Sequence, residues 1–278
     1  MNVLNTTLQN ALEQIQGVHP LLHCISNIVT ANDCANLALA IGASPIMAQE
    51  PQEMPQIAAL ARAVILNTGT PDEAKFQATA IAGKTANQLH IPVILDPVGI
   101  GASTWRLNHI HDLLSQVHPD ILRVNLGEAK ALLGQTGTEH GVDSLESFRS
   151  TETDFCAKEL ANALHTVVLL SGEEDLVTDG IRLKRISGGS PLTRSVTGAG
   201  CMLSVLCGAF ASIETTFLEA TPESASSQLD YYSSACLAAH FWKLCAESAA
   251  QTASTPGSFR VGLFDAAYKL SIFNEKGI

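Results

Sequence analysis

PVILD, residues 92–96, is an apolar run that closes on a carboxylate, and the PVGIGAS after it carries Gly99 and Gly101, which permit a tight loop. A short continuous apolar run is the mark of a strand buried on both faces, as in parallel sheets covered by helices. The same unit repeats outward in both directions. LLHCIS at 21–26, AVILN at 63–67, ILRV at 121–124 and TVVLL at 166–170 read as strands, with a shorter one at 43–47 that runs into a loop holding Pro51 and Pro55. Between them, residues 5–16, 30–41, 72–89, 105–116 and 155–164 read as helices, as does the segment opening at Asn125. Residues 134–150 are polar and glycine-rich, so a flexible loop or insertion is expected there. Residues 176–179 and 181–186 read as two antiparallel strands around an Asp179-Gly180 turn, and long helices near 225–250 and 258–274 close the chain. This alternation defines an α/β protein with a mostly parallel sheet covered on both faces. No linker, repeat or compositional break divides it, so one domain is expected across 1–278.

The bulk properties narrow the function. Of 278 residues, 46% are hydrophobic and 15% charged, enough for a large core. A net charge of −11 argues against a nucleic-acid partner, whose binding needs clustered Lys and Arg. The seven cysteines are odd in number and contain no CxxC pair, so neither a disulfide framework nor a zinc site is indicated. The amino terminus lacks the basic region of a signal peptide, and a cytoplasmic location fits. Residues 195–213 are uncharged, but they open with Ser, Thr and two Gly, which suits a buried helix rather than a membrane partner. His109 and His111 would face different sides of a helix and read as surface residues rather than metal ligands.

SVTGAGCMLSVLCGAFA, residues 195–211, is a glycine turn feeding an apolar helix. Such a turn aims free N–H groups and the positive end of the helix dipole at one point, which suits an anion. Gly198 and Gly200 would let a ligand approach the backbone, and Cys201 in the first helical turn would be a stabilised, acidic thiol. The same glycines also serve as close-packing devices, and a buried cysteine is commonly inert. Ligands of open α/β sheets bind at the carboxyl ends of strands, and several polar groups fall there. Asp96 ends PVILD, Arg123 lies at the end of ILRV, Asn125 and Glu128 follow as N-x-x-E, and Ser171-Gly172-Glu173 ends TVVLL. The N-x-x-E spacing puts both side chains on one helical face, where they can order the water shell of Mg²⁺. Arg123 can pair a phosphate. Each also has a structural alternative: Asp96 as a helix cap, Glu128 as a solvated residue, Arg123 as half of an ion pair.

The order of motifs resembles the hydroxyethylthiazole kinases, a family of the ribokinase-like superfamily. The resemblance rests on SNIVTANDCANLALAIGASPIM at 26–47, VILNTGT at 64–70, ILDPVGIGAS at 94–103 and ILRVNLGEAKALLG at 121–134, then GVDS at 141–144, EEDLVTDG at 173–180 and SVTGAGC at 195–201. It implies a three-layer α/β/α ribokinase-like fold and ATP-dependent phosphorylation of the hydroxyl of 4-methyl-5-(2-hydroxyethyl)thiazole in thiamine salvage. It also implies Mg²⁺ and a homotrimer with active sites between subunits. Carried onto this chain, Met47 and Asn27 would bind the thiazole, and Gly198 and Gly200 would line the substrate and anion hole. Arg123, Ser171 and Asn125 would bind ATP, Asp96 and Glu128 would serve the Mg²⁺–phosphate region, and Cys201 would be catalytic. The chain departs from the family pattern at Val124, Gly127 and Ile28, where the family has Gly, Ser and Tyr. Competing readings of the same fold are a hydroxymethylpyrimidine or pyridoxal kinase and an ADP/ATP-dependent nicotinamide-nucleotide hydrate dehydratase. The first two are expected to hold Asp at position 201, and the dehydratase an Asp at the same turn. A non-catalytic thiazole- or thiamine-binding regulator is the reading from another class.

Overall fold

The computed structural model describes residues 3–135, 146–213 and 230–272. The GVDS motif, most of the 134–150 stretch, and the start of the helix expected from 225 lie outside the described residues. Eight strands form one sheet in the order β2-β1-β3-β4-β5-β6-β7-β8. They are β1 (Leu21–Ile25), β2 (Ser44–Ile46), β3 (Ala63–Asn67), β4 (Val93–Asp96), β5 (Ile121–Asn125), β6 (Val167–Ser171), β7 (Asp175–Thr178) and β8 (Leu183–Ile186). The first six run parallel, and β7 and β8 are added antiparallel.

The strands are apolar on both faces because both faces are covered. Leu22, Cys24, Ile65, Ile94, Ile121 and Leu169 point into one core. It is closed by α1 (Val3–Val18), α2 (Ala31–Ala40), α8 (Ala199–Ala211), α9 (Tyr231–Thr252) and α10 (Pro256–Ile272). Their neighbours Val64, Leu66, Leu95, Leu122 and Val168 point into the other. That core lies under α3 (Met54–Leu60), α4 (Glu73–Gln88), α5 (Thr104–Leu114), α6 (Leu126–Leu132) and α7 (Glu146–Leu164). The result is the three-layer α/β/α arrangement. α8 is buried from Cys201 to Ala211 and packs on the centre of the sheet against β3 and β4, which explains its lack of charged residues.

Two elements differ from the sequence reading. α3 occupies part of the expected proline loop. Pro55 sits in its first turn, where the missing N–H interrupts no helical hydrogen bond. α7 begins at Glu146, well before the expected residue 155. The sheet edges are short: β2 has 3 residues with Pro45 at its centre, and β8 has 4 with Lys184 exposed.

Candidate active site

A row of polar side chains, buried except for the half-buried Ser171, crosses the carboxyl ends of four neighbouring strands. On β3, Asn67 Nδ2 donates to Asp96 Oδ2 at 2.9 Å. On β4, Asp96 is fully buried and also accepts from Ser204 Oγ of α8 at 2.8 Å. On β5, Arg123 Nη1 lies 3.2 Å from Asp96 Oδ1. Its Nη2 donates to Ser171 Oγ on β6 at 2.6 Å. Arg123 Nε is buried without a hydrogen-bond partner among the described residues. Burial opposes the Arg123 charge, but Asp96 and Glu128 beside it hold its pKa above the ordinary value.

Asp96 is therefore an ion-pair partner and not a helix cap; Ser103 caps α5. Glu128 is buried, not solvated, and it forms a capping box with Asn125. Asn125 Oδ1 accepts from Glu128 N, and Glu128 Oε2 accepts from Asn125 N, each at 2.9 Å. Glu128 Oε1 accepts from Gly99 N at 2.9 Å, tying α6 to the loop after β4. The N-x-x-E spacing thus has a structural cause, since a polar N-cap followed three residues later by Glu is the signature of such a box. Burial pushes the Glu128 carboxyl up, and Arg123 opposes that shift.

Two concavities flank the row. The larger, about 420 Å³, lies beyond β5 and β6 and is lined by Arg123, Ser171, Gly200, Thr193, Trp242 and Lys243, among others. Of the expected site residues it gathers Arg123, Ser171 and Gly200. The second, about 340 Å³, is walled by Ile28, Glu50, Thr70, Asp72 and Lys75 among others. Asn27 lies beside it and is buried; its Oδ1 accepts from Thr70 Oγ at 3.2 Å and from Val29 N at 3.1 Å. Met47 is half-buried just beyond β2 and lines neither concavity. Asn125 is exposed and lines neither.

The glycine turn is built for close packing within the chain. Gly198 caps α8 with φ of +86°, and a Cβ there would strike Thr30. A Cβ at Gly200 would strike the Arg123 guanidinium. Cys201 corrects the sequence expectation of an acidic thiol. Burial pushes its pKa up and the nearby Asp96 adds to the shift, outweighing Thr30, Asn67 and Arg123. A helix terminus stabilises a thiolate only where water or cations share the load, and here desolvation wins.

Four contributing residues escaped the sequence reading. Asn67 and Ser204 satisfy Asp96, Lys75 holds the loops of the second concavity, and Lys243 holds those of the first. Asn67 stands at a strand's carboxyl end beside Thr68-Gly69-Thr70, a signal that was available. A lysine within a helix carries no such signal.

The strand-end polar row beneath a helix N-terminus sits in a three-layer α/β/α frame, which is a ribokinase-like fold. A ribokinase-like superfamily protein from Enterococcus faecalis shares this fold at a TM-score of 0.60 and 11% identity, with 94% of each chain covered. A hydroxyethylthiazole kinase from Methanosphaerula palustris is 42% identical over 258 residues, 93% of this chain and 91% of its own. The solved hydroxyethylthiazole kinase protein of Pyrococcus horikoshii superposes with a TM-score of 0.81 at 33% identity, covering 95% of this chain and 93% of its own. The hydroxyethylthiazole kinase family profile matches residues 12–273, and the chain belongs to that family.

Proposed function

We propose that this chain, as one kinase domain, phosphorylates the hydroxyl of 4-methyl-5-(2-hydroxyethyl)thiazole with ATP. The observation that carries this reading is Arg123, a buried guanidinium with an unpartnered Nε on the wall of a cavity beneath the first turn of α8. Arg123 pairs phosphate oxygens there, Ser171 adds a hydroxyl, and Asn125 borders the nucleotide from the α6 terminus. Gly198 and Gly200 keep the N-terminal N–H groups of α8 accessible to charge on the transferred group. Asn27 and Met47 hold the thiazole on the other side of the row; the Met47 thioether suits a sulfur heterocycle.

Asp96 and Glu128 both lie beside the one Arg123 guanidinium, which puts two carboxyl groups near the place where the phosphates would sit. Both carboxylates are buried, line neither concavity and have all four oxygens hydrogen-bonded within the chain, so they would act on Mg²⁺ through charge rather than as direct ligands, and Mg²⁺ carried in with the nucleotide would neutralise phosphate charge. The alcohol oxygen attacks the γ-phosphorus, the bond from phosphorus to the β-phosphate oxygen breaks, and the hydroxyl proton passes to Cys201 Sγ. Because phosphoryl transfer depends mostly on positioning and electrostatics, a base that is weakly populated at neutral pH suffices.

Relatives matching over nine-tenths of the chain carry the thiazole-kinase name, which favours this reading over the pyridoxal, hydroxymethylpyrimidine and hydrate-dehydratase alternatives. Cys201, where those enzymes are expected to hold Asp, points the same way. A homotrimer in the cytoplasm completes the proposal. Incubation with ATP, Mg²⁺ and the thiazole alcohol should give the alcohol phosphate and ADP by mass. Absence of the phosphate product sinks the kinase reading, and tight thiazole binding without turnover supports the regulator instead.

A further inference from the structure

Lys75 is buried in the first turn of α4, and its Nζ donates to two main-chain carbonyls, Ser26 O and Gly69 O, each at 2.6 Å. Those carbonyls belong to different loops, one after β1 and one after β3. A charged ammonium withdrawn from water is costly, so a fold that retains one gains something by it. What Lys75 touches is itself constrained. Thr70 has φ of +47°, a left-handed conformation that a β-branched residue rarely adopts. Its Oγ contacts Gly69 O at 2.7 Å, donates to Asn27 Oδ1 at 3.2 Å and accepts from Ile28 N at 3.1 Å. Asn27 packs against Gly69, where a Cβ would strike its side-chain amide. Gly69 N donates to Asn67 Oδ1 at 2.9 Å, which joins this cluster to the Asp96 row.

We propose that Lys75 is a positioning residue of the acceptor side: its ammonium staples the loop after β1 to the strained Gly69-Thr70 turn and thereby fixes the Asn27 amide. The proposal rests on the assignment of Asn27 to the acceptor alcohol. Lys75 touches neither substrate; it acts through the two carbonyls and Thr70. The nucleotide cavity, on the far side of the Asp96 row, does not depend on it.

The test is Lys75→Met in the full-length enzyme, with steady-state kinetics for both substrates and hydrogen exchange of the 26–30 and 68–71 amides. Losing two charge-assisted hydrogen bonds should raise KM for the thiazole alcohol by about tenfold or more, with KM for ATP held within about twofold. The two loops should exchange faster, and Lys75→Arg, which keeps donors at the same depth, should recover part of both effects. A folded Lys75→Met variant with unchanged alcohol KM and unchanged loop exchange overturns the proposal, as does an equal rise in both KM values. Where Lys75→Met does not fold, Thr70→Val decides: it cuts the next link at an exposed position and should give the same one-sided KM rise. Equal KM values there overturn the proposal too. If the wild-type enzyme leaves the alcohol unphosphorylated, the kinase reading fails, while loop exchange in Lys75→Met still decides whether Lys75 staples the two loops.

Discussion

On the side proposed for the nucleotide, Lys243 of α9 donates to Glu173 O at 2.8 Å and stands 3.4 Å from the Asp175 carboxylate. On the acceptor side, Lys75 meets only carbonyls, and burial lowers its pKa to about 8 despite the opposing pull of Asp72. The two lysines do the same mechanical work, each fastening loops at strand ends, but Lys243 has a carboxylate within ion-pair distance and Lys75 feels only the more distant Asp72. A clamp with a carboxylate beside it keeps a partner for its ammonium even where a carbonyl shifts. An unbalanced one holds while its proton is present and while its carbonyls stay aimed at it. On the proposed assignment, the nucleotide mouth is the better balanced of the two, and the acceptor mouth is where small changes should be felt.

Breaking the firm side should cost most. Arg123→Ala leaves the fully buried Asp96 carboxylate without its cation, and removing one member of a buried pair typically costs about 3–5 kcal/mol. A large fall in thermal stability and a rise in KM for ATP above that for the alcohol are expected. If ATP dependence survives, Arg123 is structural only.

Next in size is Cys201, on the boundary between the two sides. Cys201→Ala should fold, bind both substrates and lose turnover by about 10²–10⁴-fold, the usual share of a general base. Since burial and Asp96 raise the thiol pKa, wild-type kcat should climb with pH toward and beyond the ordinary thiol range. Cys201→Asp should move that climb to lower pH. A flat profile in the wild type removes Cys201 from proton transfer.

A smaller effect sharpens the acceptor side. Gly69→Ala pushes a methyl group into the Asn27 amide, with an overpacking cost of about 1–3 kcal/mol. KM for the alcohol should rise while KM for ATP stays put; the reverse pattern would reassign the two mouths.

The smallest effect concerns His23, fully buried on β1, whose Nε2 lies 3.0 Å from Ala48 O just past Met47. Burial lowers its pKa below 6.5, against weaker opposing contributions from Ala48 and Glu53. The unfolded chain therefore binds a proton that the folded one refuses. Stability is complete at neutral pH and falls as pH drops below about 6.5, by at most about 1.4 kcal/mol per unit from this group. Chemical denaturation of His23→Gln at pH 5 and 7.5 should show a shallower dependence than the wild type. An equal slope would mean His23 is not the source.

The strands were legible in the sequence because each is an unbroken apolar run, and two-sided burial writes itself directly into composition. α3 was not, because prolines read as loop unless one knows that Pro55 falls in a helix's first turn. The site was legible as a set of strand-end residues, and Arg123, Ser171 and Gly200 do meet at one cavity. What sequence could not convey was partnership. Asn125 and Glu128 stood out by spacing, yet that spacing also builds a capping box. Cys201 looked acidic because a helix terminus is a local cue, whereas Asp96 lies more than a hundred positions away in the chain. Lys75 and Lys243 were invisible, since a lysine in a helix ordinarily sits in water.

The two short edges of the sheet bear on how copies of the chain meet. An open strand edge is a template for another chain, and unguarded edges invite runaway association. Here one rim ends in three residues centred on a proline that cannot donate, and the other in four that include an exposed lysine. Neither rim offers a run of free main-chain groups long enough to extend the sheet into a neighbour. An open sheet finished in this way resists fibril-like growth without closing on itself.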